Sequence, residues 1–429
     1  MRVLILGGNG LIGSAVAHAL ARRGHELLAI GRDIAVASRR MPGIDWRRVD
    51  IARLTDVEAW LPLLQEMDAV VNCAGALQDG ARDDVRALQE TAMLALYQAS
   101  VASGIKLMVQ ISARTDGIAA ATEFLATKRL ADEALTRSGV PFVILRPALV
   151  IGRNCYGGSS LLRALAAFPL VTPLVNANSP IEVAALDDVT LAVIHALENG
   201  IPTGSDLHVA APQIFTLAQI VARHRAWLGL PAASVLPVPM FAASAVSRLA
   251  DWLGWLGWRS PLRSTAMLSA SGGITSAAGN VNLPFTPRSL DETLDTQPAG
   301  AQDLWFARLY LLKPLIIGTL SLFWIVSGVM SLALFKASSA HLAEVGVSSA
   351  GAILLTLATS LADIGLGLAA AARRTVRPAL LGMIGLSMCY LATASILEPS
   401  LWLDPLGVLV KVIPQIVLAV VALAIIEER

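Results

Sequence analysis

The chain has 429 residues, 55% of them hydrophobic and only 15% charged, with a mean hydropathy of +0.63; it is too long for one ordinary domain and too apolar to be wholly soluble. A formal net charge of +1 with scattered arginines lacks the basic footprint that nucleic-acid binding needs. Cys73, Cys155 and Cys389 lie far apart without metal-ligand spacing, and their odd count suits a reducing compartment better than a disulfide framework.

The opening MRVLILGGNG has an apolar run of only residues 3–6 before its glycines, short of the roughly 7–15 residues of a signal-peptide core. It predicts a strand, and it leaves the N-terminal domain expected in the cytoplasm. From 1 to about 150, β-branched runs alternate with amphipathic stretches, the pattern of a parallel sheet covered by helices on both faces. Strands are expected at RVLILG, ELLAIG, DWRRVD, AVVNCAG, KLMVQIS and PFVILRP, which predicts an α/β, Rossmann-like fold.

Between the first strand and the first helix stands GGNGLIG, with Gly7, Gly10 and Gly13 spaced by three around Leu11 and Ile12. Glycines there permit a tight turn and a close backbone approach to a pyrophosphate, which the helix N-terminus attracts. The second strand ends in AIGRD. An arginine at this position accommodates the extra phosphate of NADP, so Arg32 points to NADPH, while the adjacent Asp33 keeps NAD open.

Residues 151–300 predict a smaller lobe over the carboxyl edge of the sheet. Within it, MFAASAVSRLADWLGWLGWRS carries Trp252, Trp255 and Trp258 at helical spacing, which reads as a core face or as a surface for the membrane interface. Residues 301–313 read as a connector. Four apolar runs follow, Pro314 to Phe335, Val347 to Ala372, Pro378 to Leu397 and Pro405 to Ile426, each with the roughly 20 residues that cross a bilayer as a helix. They predict a four-helix transmembrane bundle over 314–429. Of the Lys, Arg, Asp and Glu residues, only 12 lie after Lys313. Arg308, Lys313, Arg373, Arg374 and Arg377 flank one side of these runs and Glu398 and Asp404 the other, so both termini are expected on the cytoplasmic side of a cell's inner membrane.

Two ionisable residues fall inside the runs. Asp363 is expected near mid-depth, suited to a proton or a quinone head group, and Lys411 near the outer end, suited to snorkelling. A vertical offset of about 15 Å argues against their pairing.

Asp50 and Ile51 at the end of the third strand, NCAG at the end of the fourth and the run PFVILRPALVIG together resemble the extended and atypical branch of the short-chain dehydrogenase/reductase superfamily, over residues 1 to about 295. The resemblance implies that Asp50 and Ile51 meet the adenine, that Ala74 and Gly75 meet the cofactor ribose, and that Arg146 and Pro147 lie near the nicotinamide. SPIEVAALDDV, LHVAAPQIFTLAQIV and LPFTPRSLDETL are similar to proteins related to the NADPH-holding accessory subunit of respiratory complex I. The tail resembles DoxX-like membrane domains, whose relatives are linked to quinone or thiol redox systems.

The superfamily's catalytic members place a tyrosine four residues before a lysine. Here TEFLATKR puts Phe124 in the tyrosine position before Lys128, and Phe124 has no proton to give. A positioned general acid contributes about 10² to 10⁴ in rate, so Phe124 argues against an ordinary carbonyl reductase mechanism. Lys128 keeps its second implied role at the nicotinamide ribose, against the alternative of a surface lysine paired with Asp132. Ser112 is the third catalytic position that the resemblance implies, and Tyr156, in the loop after the sixth strand, is a phenol able in principle to substitute.

The expected function is that of a membrane-anchored oxidoreductase passing hydride to a quinone-like or other lipid-soluble acceptor, which takes its proton from water. The alternative is a non-catalytic NADPH-binding sensor, or a scaffold for a membrane redox partner protein. An isomerase or sugar-modifying enzyme fits less well, because those reactions need the phenol.

Overall fold

A computed structural model describes all residues except 77–78, 81–82, 115–121, 259, 265–282 and 428–429. The chain divides into two units, residues 1–252 with 260–307 and residues 253–259 with 308–429.

The first unit begins with β1 (Arg2–Leu6), α1 (Leu11–Arg22), β2 (Glu26–Gly31), α2 (Ala35–Arg40), β3 (Asp45–Arg48), α3 (Val57–Leu64) and β4 (Ala69–Asn72). It continues through α4 (Ala92–Ala102), β5 (Leu107–Ile111), α5 (Glu123–Arg137) and β6 (Phe142–Pro147). The six expected strands all form, in a sheet whose registers are parallel throughout. A seventh strand was not anticipated. After β7 (Leu149–Ile151), α6 (Gly158–Ala166), β8 (Val171–Leu174), β9 (Pro180–Ala185) and α7 (Leu186–Leu197), the chain returns to the main sheet as β10 (Ser205–Val209). The sheet order is β10-β6-β5-β4-β1-β2-β3. Residues expected in the lobe thus extend the main sheet, pairing the backbone groups of β6 and leaving β10 as the edge.

Alternation along the strands divides the core. Val3, Ile5, Val71, Val109 and Leu145 join α1 and α7 on one face, while Leu4, Leu6, Val70, Met108 and Ile144 join α3, α4 and α5 on the other. Strands buried on both faces are what an all-parallel sheet requires. A separate small core around Ile151, Ile181, Phe215 and Ile220 belongs to the lobe, which also holds β11 (Ile214–Thr216), α8 (Leu217–Trp227), β12 (Ser234–Pro237), α9 (Met240–Trp255) and α10 (Leu290–Asp295).

Two expectations for the remainder are corrected. Residues 301–313 are no separate connector, for they are the first turns of α11 (Ala301–Ala333), a continuous helix of 33 residues. After α12 (Phe335–Glu344) come α13 (Ser349–Ala371), α14 (Val376–Leu397) and α15 (Val412–Ile425). Three helices, α11, α13 and α14, are long and apolar enough to cross a membrane, so the tail is a membrane helical domain. The fourth run instead yields 14 helical residues, about 21 Å at 1.5 Å per residue, short of a hydrocarbon core of about 30 Å. Pro405 and Gly407, the latter at φ +64°, hold residues 405–411 in turns, and Pro414 fits only the first turn of a helix.

Within this unit, Gly328 and Gly367 let α11 and α13 touch. A Cβ on Gly328 would lie 2.5 Å from the Ser360 carbonyl oxygen, and one on Gly367 would lie 2.8 Å from that of Ser321. Ser321 donates to the Gly367 carbonyl at 2.7 Å. Small residues at a close crossing with a hydroxyl bond are how helices associate where lipid offers no hydrophobic drive.

Candidate functional site

The turn between β1 and α1 is built around missing side chains. Gly7 sits at φ +67°, and a Cβ there would come within 3.0 Å of the Ala74 Cα, so the ends of β1 and β4 are in backbone contact. A Cβ on Gly13 would meet the Gly7 carbonyl oxygen at 2.2 Å. The Gly10 N–H closes the turn onto the Gly7 carbonyl at 2.8 Å. Gly10 is also the N-cap of α1 and supplies no side-chain cap, which leaves the first-turn N–H groups of Leu11, Ile12 and Gly13 without an intrahelical acceptor. This backbone cradle fits a pyrophosphate. Ile12 also packs against the core from α1.

At the end of β2, Gly31 has its Cβ position taken by Asn9, 2.4 Å from the side-chain oxygen, and Asn9 donates to the Asp33 carbonyl at 3.1 Å. The Arg32 guanidinium forms an ion pair with Asp83, whose side chain is only 12% exposed. The phosphate-binding role read for Arg32 therefore competes with a carboxylate that the spacing of the sequence did not reveal. Asp50 lies near the Arg53 guanidinium at 3.5 Å, and Ile51 is a core residue beside α3 and α4. Ile51 therefore sits in the apolar layer under the site, and any contact with a ligand falls to its backbone.

The carboxyl ends of β4, β5 and β6 form the deeper part. Asn72 accepts from the Ala74 N–H at 2.9 Å and donates to Gln110 at 2.9 Å, tying β4 to β5. Lys128 is buried, not a surface lysine, and donates to the Ile111 carbonyl at 3.0 Å. Its Nζ lies 5.9 Å from the centre of the Phe124 ring, a cation–π geometry. A Cβ on Gly75 would be 3.8 Å from that same Nζ. The chain thus brings Gly7, Ala74, Gly75, Phe124 and Lys128 into one contiguous strip along the sheet edge. Burial lowers the Lys128 ammonium from its ordinary value, with Asp132 pulling the other way. Burial also pushes the Cys73 thiol up to about 12 against the charge of Lys128, so Cys73 is no thiolate nucleophile at neutral pH.

Ser112, expected as a catalytic member, is buried and donates its hydroxyl to Asp132. Asp132 does not take Lys128 as its ion-pair partner; its Oδ2 lies 2.8 Å from Nη1 of Arg146. Arg146 also donates to both carboxylate oxygens of Asp206, at 2.7 and 2.8 Å, and to the Ala113 carbonyl at 2.8 Å. The structure adds these partners to the place that the resemblance implies for Arg146 beside the nicotinamide. Its guanidinium clasps α5, β5 and β10 together, and fork geometry on a carboxylate is what arginine does best. Burial raises the Asp132 carboxyl above its ordinary range, with Arg146 and Ser112 opposing. In the sequence Asp132 was legible only as the partner of a surface Lys128, four residues before it. Pro147 ends β6 opposite Val209. Tyr156 is 39% exposed, and its backbone N–H bonds Ser159 at 3.0 Å, which marks a turn residue before α6.

In the membrane unit Asp363 is buried on α13 and accepts from the Tyr390 hydroxyl of α14 at 2.9 Å and from Ser327 of α11 at 3.3 Å. These donors, not Lys411, are the partners found among the described residues. Lys411 stands exposed at the N-cap of α15. Tyr390→Phe is expected to weaken this three-helix tie by on the order of 0.6–2 kcal/mol, read as a lowered midpoint of thermal unfolding in nanodiscs. An unchanged midpoint would show that the tie holds nothing together.

The first unit is thus a Rossmann-type dinucleotide fold with a glycine cradle and a lysine under the strand ends, joined to a membrane helical domain. Residues 3–200 match the NAD dependent epimerase/dehydratase family and residues 321–420 the DoxX-like family. The chain therefore joins an epimerase/dehydratase-type domain to a DoxX-like one. An uncharacterized protein of Mycobacterium tuberculosis is 26% identical over 222 residues, 52% of this chain, and the match spans 23% of that relative. An uncharacterized chloroplastic protein of Arabidopsis thaliana is 25% identical over 218 residues, 46% of this chain and 72% of its own length. Among solved structures, MoeE5 in complex with UDP-glucuronic acid and NAD is 17% identical with a TM-score of 0.51, covering 72% of this chain and 100% of that one. That likeness is one of fold.

Proposed function

We propose that the protein is a membrane-bound, nicotinamide-dependent oxidoreductase that passes hydride to a quinone-like or other lipid-soluble acceptor. The observation that carries this reading is Phe124, whose ring lies under the Lys128 ammonium where a proton-donating phenol would otherwise stand. A site with the lysine and without the acid suits an acceptor whose reduced form takes its proton from water.

The residues that would hold the cofactor are Gly7, Gly10, Leu11, Ile12 and Gly13 at the pyrophosphate, Asp50 and the Ile51 backbone toward the adenine, and Ala74, Gly75 and Lys128 at the riboses, with Pro147 beside the nicotinamide. When bound, the reduced cofactor supplies the hydride. The chain's own part is to orient it through Lys128 and to keep water from the ring with Phe124. NADPH is the preferred form on this reading, through Arg32, and the membrane is the cell's inner membrane with the N-terminal unit on the cytoplasmic side. The epimerase/dehydratase match, the NAD complex of MoeE5 and the DoxX-like domain support the reading without naming the acceptor.

The test is oxidation of NADPH and NADH by the full-length protein in lipid nanodiscs, with and without a short-chain quinone. Quinone-dependent turnover is expected, faster with NADPH, and unaltered by Phe124→Tyr because no phenol takes part. Arg32→Ala is expected to weaken NADPH affinity by about tenfold, the value of one hydrogen bond to a charged group, and to leave NADH as it was. A second reading is favoured by Ser112, whose hydroxyl is committed to Asp132: a nicotinamide-binding sensor or scaffold for a membrane redox partner. Tight binding with no turnover on any quinone would select it.

A further inference from the structure

Helix α9 is packed inside out. Its buried stripe is Ala243, Ser247, Ala250 and Gly254, spaced i, i+4, i+7 and i+11 along one face. Its large apolar residues point outward: Phe241 is 79% exposed, Leu249 58%, Trp252 60% and Trp255 72%. These recur at i, i+8, i+11 and i+14 on the opposite face, where Arg248 is exposed and Asp251, at its edge, pairs with Arg263 at 3.1 Å. A surface helix in water shows the reverse arrangement, apolar inward and charged outward. Small residues inside and large apolar ones outside is the arrangement of helices that meet lipid.

The last turn of α9 and the residues after it, Leu253–Trp258, belong to the membrane unit; within that unit the Trp258 indole donates to the Ala371 carbonyl at 2.6 Å and the Arg373 N–H donates to the Leu256 carbonyl at 2.9 Å. Ala371 is the last residue of α13, and Arg373 lies in the basic turn leading to α14. Such a turn is where a helix pair leaves the hydrocarbon. Tryptophan, apolar in body and polar at one edge, favours that same level.

We infer that α9 lies in the bilayer interface, with Phe241, Leu249, Trp252 and Trp255 seated among lipid headgroups and the upper acyl chains. Arg248 reaches back to the phosphates along its apolar stem. The occupant of this face is lipid.

The test places a nitroxide label through Leu249→Cys or Trp252→Cys in the full-length protein, with the three native cysteines replaced by serine, in phosphatidylcholine/phosphatidylglycerol nanodiscs. Accessibility is read to oxygen, which partitions into lipid, and to a water-soluble nickel chelate. Glu58→Cys, on exposed α3, is the aqueous reference. The oxygen-to-nickel ratio is expected to be several-fold higher at 249 and 252 than at 58. A ratio equal to that at 58 would overturn the inference. So would shielding from both reagents with spin–spin broadening, which would mean that a second copy covers the face. Should Trp252→Cys not fold, Phe241→Cys gives the same reading.

Discussion

Gly13→Ala is expected to remove dinucleotide binding and to lower stability, although alanine is the better helix former. In a helix interior the exchange would by itself gain up to about 1 kcal/mol. Here the new Cβ would stand 2.2 Å from the Gly7 carbonyl oxygen and within 3.0 Å of the Gly8 Cα. Both are backbone atoms of the turn, so neither yields as a flexible side chain would. Overpacking of this kind costs about 1–3 kcal/mol, which exceeds the helical gain. The movement that relieves the clash carries Gly7 and Gly10 with it and opens the cradle. Gly24→Ala is the control: Gly24 has φ +79° and no atom within 4 Å of its Cβ position, so strain lowers stability there by roughly 1 kcal/mol without touching the turn. Fluorescence titration of NADPH and NADH on full-length protein, beside thermal unfolding, separates the two. Wild-type affinity in Gly13→Ala would mean that the cradle holds no pyrophosphate.

Arg146→Met is expected to be the most damaging single change in the first unit. The guanidinium is the ion-pair partner of Asp132 at 2.8 Å and holds both oxygens of Asp206. Without it Asp132 is buried with Ser112 as its remaining donor among the described residues. Breaking one side of a buried pair costs about 3–5 kcal/mol, and the loss has a pH signature. Burial already raises the Asp132 carboxyl, so the folded state binds its proton more tightly than the unfolded chain does. A raised carboxylate is most favourable to folding below its unfolded value, and that contribution is lost as pH rises through the folded value. Removing Arg146 takes away an opposing charge and extends this window upward. The variant is therefore expected to be much less stable than the wild type at neutral pH and closer to it in mild acid. Adding Asp132→Asn is expected to restore part of the loss at neutral pH. Melting midpoints across pH for the single and double variants check it, and a pH-independent deficit would assign Arg146 a packing role only.

The catalytic question turned on one stretch, TEFLATKR. The spacing of Phe124 and Lys128 already placed both on one helical face, and the structure adds that the lysine is buried and bonded to Ile111. What the stretch did not reveal is Asp132 as the partner of Arg146 and not of Lys128. Nothing local distinguishes an i+4 surface pair from two residues that turn to different strands. Arg32 is a similar case, because its carboxylate, Asp83, stands 51 residues on.

By itself the sequence determined the parallel order of strands and helices, the glycine turn after β1 and the position of three membrane helices. All of these depend on patterns within a few residues: alternation at two, recurrence near 3.6, missing side chains, and unbroken apolar length. Tertiary structure alone decided that β10 extends the main sheet beyond β6, that Asp132 pairs with Arg146, and that Asp363 rests on Tyr390 and Ser327. Most of these outcomes depend on which elements become neighbours. A buried charge or an open strand edge takes the nearest partner that satisfies it, whatever its distance along the chain.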